Sequence, residues 1–211
     1  MWRRSATRSG LFFLAFLATA CGNSSYGLQE LKGGVEIAVR RGSGWTTLSV
    51  KPPHIIGPRT NLRLNEGVFS GSIDNQGVRV VMDGDGAHGF GPFGPIAISI
   101  DDGSDALVVE GQWSGSRVHL RITNDSFRGT IPIWNANTVG ATVNCQYVLD
   151  TVEPDGAWSG ISTCTGLPEA TRIEVPERVQ SWFSRNELTV VLLALLSSPP
   201  TTGMERNFVA P

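Results

Sequence analysis

The chain predicts a mostly β fold, an antiparallel up-and-down barrel or a sandwich of short hairpins, with a short apolar helix at its C-terminal end. Three observations predict it. Short runs rich in β-branched residues recur along the chain, separated by clusters of Gly, Asp, Asn and Pro. Within these runs apolar and polar residues alternate, most clearly over residues 141–150, where Val143, Cys145, Tyr147 and Leu149 share one face and Thr142, Asn144 and Gln146 the other. After these runs comes a nearly continuous apolar stretch at residues 188–196, interrupted only by Thr189.

Taken in order, residues 35–40 and 45–50 form a first strand pair across Arg41, Gly42, Ser43 and Gly44. Pro52, Pro53 and Pro58 then break regular structure. Residues 68–74 and 78–82 pair across Asn75, Gln76 and Gly77, and a Gly/Pro-rich loop is expected over residues 83–95. Residues 96–100 pair with 106–110, and 117–123 with 127–133 across Asn124 and Asp125. Regular hairpins of this kind point to a barrel or a sandwich.

The next hairpin carries two cysteines. Glu153, Pro154, Asp155 and Gly156 are a strong turn signal, and residues 158–164 read as the return strand. The midpoint between Cys145 and Cys164 falls between Pro154 and Asp155. A four-residue loop is therefore expected, which places the two cysteines opposite each other with Trp158 on the same face. The rival is a three-residue loop with a bulge at Gly156. It slips the register by one and requires a second bulge before the sulfurs can meet.

The C-terminal part changes character. Pro176 suits the first turn of a helix over residues 177–183. Ser184 and Glu187 have capping-box spacing, and the apolar run they introduce ends at Pro199 and Pro200. That run is apolar on all sides, so it must be buried on most of them. A helix packed on or across the β domain is expected, and a surface for a partner or a lipid is the functional alternative.

The first 20 residues have a different logic. Arg3, Arg4 and Arg8 precede an apolar core at residues 11–18, small residues follow, and no acidic residue occurs before Glu30. A basic head, a short apolar middle and a small-residue cleavage site make up a secretory signal. The apolar middle is shorter than the roughly 20 residues that span a bilayer. Ala18, Thr19, Ala20 and Cys21 resemble the lipobox of bacterial lipoproteins, although Ala18 stands where that family usually has Leu. The resemblance implies a diacylglyceryl group on the Cys21 thiol and an acyl chain on its freed amine. Gly22 stands where Asp would commonly retain such a protein in the inner membrane, so it also implies the outer membrane. The chain then divides into a signal (1–20), an anchored N-terminus and tether (21–32), a β domain (33–175), a helical segment (176–198) and a tail (199–211). With Cys21 assigned to lipid, Cys145 and Cys164 remain as a pair that an oxidising envelope would join.

Composition and motifs narrow the function. Without the three leader arginines, 14 Lys and Arg face 19 Asp and Glu, which argues against a nucleic-acid partner. Gly84, Gly86 and Gly89 have G-x-G-x-x-G spacing, but Gly and Pro crowd residues 90–95, where dinucleotide binding needs a helix N-terminus. Asp83 and Asp85 alternate as in a calcium loop, yet Gly94 stands where that loop needs its Glu. His54, His88 and His119 form no zinc motif, and Asp101, Asp102 and Asp105 sit at a turn. No cofactor, metal or catalytic residue is therefore assigned. Gly-x-aromatic-Ser-Gly occurs three times, around Phe69, Trp113 and Trp158, and reads as an aromatic core anchor at a strand start, with Gly letting a neighbour approach closely. The expected function is a lipid-anchored, non-enzymatic envelope module that binds a partner protein, a glycan or an apolar ligand. The alternatives are a structural accessory subunit and a periplasmic hydrolase with a site assembled from distant residues.

Overall fold

The computed structural model describes residues 31–134 and 142–199. Cys21 and the leader lie outside the described residues, as do the tether up to residue 30 and the tail beyond Pro199.

The β domain is a closed antiparallel barrel of 14 strands in which each strand pairs with its chain neighbours. The strands are β1 (Val35–Arg41), β2 (Gly44–Lys51), β3 (His54–Gly57), β4 (Thr60–Asn65), β5 (Val68–Ile73), β6 (Gln76–Asp83) and β7 (Gly86–Gly91). They continue as β8 (Gly94–Asp102), β9 (Leu107–Trp113), β10 (Ser116–Ile122), β11 (Phe127–Trp134), β12 (Thr142–Val152), β13 (Trp158–Thr163) and β14 (Pro168–Glu174). The seam closes where β1 meets β14, from Ala38 opposite Glu174 to Arg41 opposite Thr171. Closure leaves no open sheet edge, which settles the choice between barrel and sandwich.

The prolines and glycines expected to interrupt the sheet instead punctuate it. Pro52, Pro53 and Pro58 lie in the turns on either side of β3, so β3 and β4 form a hairpin within the stretch expected to be irregular. The expected loop at residues 83–95 contains β7 and the start of β8. β14 is a further strand without an equivalent in the sequence reading. Several turns are also tighter than expected. β5 and β6 join through Asp74 and Asn75 alone, both at positive φ (50° and 61°), as a two-residue hairpin turn of the type I′ class requires.

Inward positions form one apolar core, and outward positions are mostly polar, with Phe90, Val148, Val152 and Ile161 as exposed apolar exceptions. Arg63, Arg79, Glu110, His119, Arg121 and Arg128 are exposed on the outer face. A membrane-spanning barrel has the opposite arrangement, an apolar band outside and a polar interior. Gly71, Gly89, Gly111 and Gly129 fall in the inward-facing phase of β5, β7, β9 and β11, with φ between 133° and 149°. At Gly111 a Cβ would collide with the carbonyl oxygen of Ala97 on β8, so only glycine fits this kinked crossing. Such positions also place no side chain in the lumen between the large residues Ile98 and Val118 that flank Gly111.

The interior is occupied by the chain's own C-terminal helix. α1 (Glu177–Gln180) follows β14 at the mouth where β1 begins, and α2 (Arg185–Ser197) passes into the barrel. At this near mouth Arg185 pairs with Asp102 at the end of β8 (2.5 Å), and Asn186 donates to the Gly84 carbonyl in the β6–β7 turn (2.9 Å). At the opposite mouth the Leu196 carbonyl accepts from Arg41 at the end of β1 (2.6 Å), and the Pro199 carbonyl accepts from Thr46 (3.2 Å). All residues from Thr189 to Ser197 are buried. Thirteen helical residues rise about 20 Å, enough to thread the lumen. The expectation of a helix lying on or across the β domain is thus corrected: α2 runs through it. The physical reason is that a 14-strand barrel encloses more space than its own side chains fill, and a helix apolar on every side fills it.

Candidate functional site

The disulfide is present, and the hairpin around it combines both expected arrangements. Cys145 bonds to Cys164, with Cα atoms 4.0 Å apart. Next to the turn, Val152 faces Trp158 and the Glu153 amide donates to the Ala157 carbonyl (2.8 Å). Gly156 has φ +81°. This is the register of the shorter loop with its Gly156 bulge, so the expected four-residue loop is corrected. Between Val148 and Thr151 the register shifts, so that Leu149 and Asp150 together oppose Gly160. From there Val148 faces Ile161, Tyr147 faces Ser162, and the same register brings the cysteines opposite each other. A Cβ on Gly160 would run into the Val148 carbonyl and the Leu149 Cα, so glycine is what permits the bulge. Trp158 packs on the core beside Phe127, with ring centroids 6.1 Å apart.

The most unusual interior group is Arg41, which is 3% exposed. It follows Ile37 and Val39 in the inward phase of β1. Its Nε donates to the Tyr147 hydroxyl (2.9 Å), its Nη2 to the Leu196 carbonyl (2.6 Å), and its guanidinium lies 5.7 Å from the Tyr147 ring centroid. No carboxylate pairs with it among the described residues. The α2 C-terminus supplies the compensation, since its terminal carbonyls carry partial negative charge. Burial pushes the Tyr147 phenol above its ordinary range, opposed by the adjacent Arg41 charge. Nearby, the Ser162 and Thr171 hydroxyls share a hydrogen bond (2.6 Å). These groups lock a helix in place, and with 3% exposure Arg41 offers no access to a substrate.

The other sequence candidates lie apart on the outer face. His88 pairs with Asp83 (2.9 Å) and His119 with Glu110 (3.0 Å), all four exposed. His54 is exposed at the start of β3. Gly84 lies in a turn, while Gly86 and Gly89 lie on strand β7, so no helix N-terminus faces them. Asp102 is engaged by Arg185. Arg172 on β14 gathers Glu153, Asp155 and Glu174 into one half-buried ion-pair cluster on the outer face. Ala157 donating its backbone N–H, and then the Arg172 charge, hold the Asp155 carboxyl below its ordinary range. Among the described residues no group of three or more His, Cys, Asp or Glu is placed to hold a metal ion.

The repeated aromatic motif behaves as an anchor. Phe69 and Trp113 are fully buried, and Trp158 is partly buried against the core. Trp113 ends β9 rather than starting a strand, so it lies at the opposite mouth from the other two. Arg41 is the residue that sequence reading missed, having been placed in a turn. Its period-two position after Ile37 and Val39 was the available signal.

Fold and interior together define the class: an antiparallel β-barrel with a mostly polar outer face, filled by its own C-terminal helix. Comparison with protein-family models, characterised proteins and solved structures finds no match to this chain.

Proposed function

We propose that the chain is an exported lipoprotein, anchored through Cys21, whose barrel acts in the cell envelope as a non-enzymatic binding or accessory module through its outer surface. The observation that carries the surface part is α2, whose nine buried residues Thr189 to Ser197 occupy the lumen where a lipocalin-like carrier would hold its ligand. Partners therefore meet the outer face and the turns. The leader and Cys21 support the anchor, and Gly22 favours the outer membrane by resemblance to lipoproteins.

Two measurements test this reading. Intact mass of the protein recovered from bacterial envelopes should show Cys21 as the first residue carrying acyl chains, and a Cys21→Ser variant should lose the lipid and leave the membrane fraction. An unlipidated wild-type chain would refute the anchor. Titration of the folded barrel with a fluorescent fatty acid should show no saturable uptake. Saturable uptake at one site per chain would replace the surface reading with that of a carrier.

A further inference from the structure

The strand registers align a row of exposed basic side chains across β2–β6, with Lys51, Arg63 and Arg79 carrying its charge. Lys51 faces His54, His54 faces Arg63, Arg63 faces Ser70, Ser70 faces Arg79, and Arg79 faces Phe90 on β7. Lys51, His54, Arg63 and Arg79 are all exposed, and Phe90 is 51% exposed. Adjacent strands lie about 4.8 Å apart, so Arg63 and Arg79 stand about 10 Å from each other.

The rows on either side carry no carboxylate over these strands. On one side run Ser49, Ile56, Asn61, Ser72 and Gly77. On the other run Asn65, Val68 and Val81. Glu36 on β1, Glu66 in the β4–β5 turn and Asp83 at the end of β6, which pairs with His88, lie at the margins. Arg63 and Arg79 have no ion-pair partner among the described residues, whereas Arg59, Arg128, Arg172 and Arg185 each engage a carboxylate. On a protein of net negative charge, an unneutralised cationic row is a local field directed at an anion.

The row begins where the N-terminal segment joins the barrel. Lys51 Nζ donates to the Lys32 carbonyl (2.8 Å), Lys32 is itself exposed, and β1 starts with Val35 opposite Val50. From Cys21 to Val35 the chain reaches at most about 50 Å. An anchor at Cys21 would therefore keep the barrel within about 50 Å of the bilayer, and it would join the barrel at the mouth where this row begins. We infer that the Lys51–His54–Arg63–Arg79 row, with Phe90 at its end, is a docking face for an anionic phospholipid surface, seating the barrel on the leaflet that holds its anchor. Each cation near such a surface adds to the attraction within a Debye length. The orientation relative to the anchor rests on the lipoprotein reading, but the charge of the face does not.

The test uses the chain without leader and with Cys21→Ser, so that no lipid anchor contributes. Its partition is measured by vesicle co-sedimentation on phosphatidylcholine alone and on phosphatidylcholine with about 30% phosphatidylglycerol, an anionic surface of the kind that attracts basic segments. Binding is expected only to the anionic vesicles, and it should be lost at high salt. Arg63→Glu with Arg79→Glu should weaken it at least about tenfold. Arg117→Glu with Arg121→Glu, on β10, should leave it within about twofold. Arg63→Gln with Arg79→Gln serves as the measured pair if charge reversal unfolds the barrel, as judged by its circular dichroism melt. Absence of binding to anionic vesicles, equal binding to neutral ones, or equal loss from the β10 pair would overturn the inference. Failure of the anchor would appear instead as an unlipidated Cys21 in the wild-type mass.

Discussion

Arg41 stands out at the level of single residues because it is a cation buried without a carboxylate. An isolated charge in an apolar medium is strongly disfavoured, so its environment must replace the lost water. The carbonyls at the end of α2 and the Tyr147 hydroxyl do so, and the favourable placement of a cation at a helix C-terminus adds to the effect. Tyr147 reports on this site through its titration. Its folded-state value is raised above 10.0, mainly by burial. Below about pH 10 the folded and unfolded chains both keep this proton, and the contribution to stability is fully present. As pH rises further the unfolded chain releases its proton first, and the contribution is lost as pH passes through the folded-state value. Tyr26 is the other tyrosine of the chain. In a Tyr26→Phe variant, phenolate absorbance should therefore appear well above pH 10 and together with loss of near-ultraviolet circular dichroism. A Tyr147 that titrates near pH 10 with the barrel intact would contradict its burial.

At the scale of elements, α2 shows how local and tertiary terms differ in size. Its capping box is complete: the Glu187 amide donates to Ser184 Oγ (3.2 Å), and the Ser184 amide donates to the Glu187 carboxylate (2.8 Å). Replacing Ser184 by Ala should cost about 1 kcal/mol. Leu193, fully buried in the lumen, has no local role, and Leu193→Ala should cost about 3 kcal/mol through lost transfer energy and the cavity left behind. Urea unfolding of the two variants checks the ratio. A Leu193→Ala cost no larger than the cap's would mean that α2 is not packed inside the barrel. The capping box was legible because it depends on residues three apart. The register of the cysteine hairpin was not, because the disulfide and the turn each prefer a register, and the two differ by one residue. The bulge at Leu149 and Asp150 reconciles them, and it is possible only because Gly160 opposes it.

At the scale of the molecule, the barrel and its helix depend on each other. Strands of 4 to 11 residues close around a lumen lined by Ile37, Leu48, Phe69, Ile98, Leu120 and Tyr147, and α2 fills it. Without the helix that lining would face water or collapse. A chain ending at Val175 should therefore lose cooperative thermal unfolding and become sensitive to proteases, measured against the same chain extended through Pro211. Retention of the wild-type midpoint would show that the barrel stands empty.

Class, hairpin order, the disulfide partners and the apolar helix were all readable from residues near one another in the chain, since alternation, turn chemistry and capping act over two to four positions. Strands β3, β4, β7 and β14 were not, because Pro and Gly weaken a strand signal even where they mark its turns or allow a neighbouring backbone to approach. The place of α2 was not readable either. An all-round apolar helix specifies only that it must be buried, and whether it lies on a sheet or within a barrel depends on how many strands close and how wide a lumen they leave. The same holds for the cationic row: Lys51, His54, Arg63 and Arg79 are separated in sequence by turns, and only the registers between strands bring them into line.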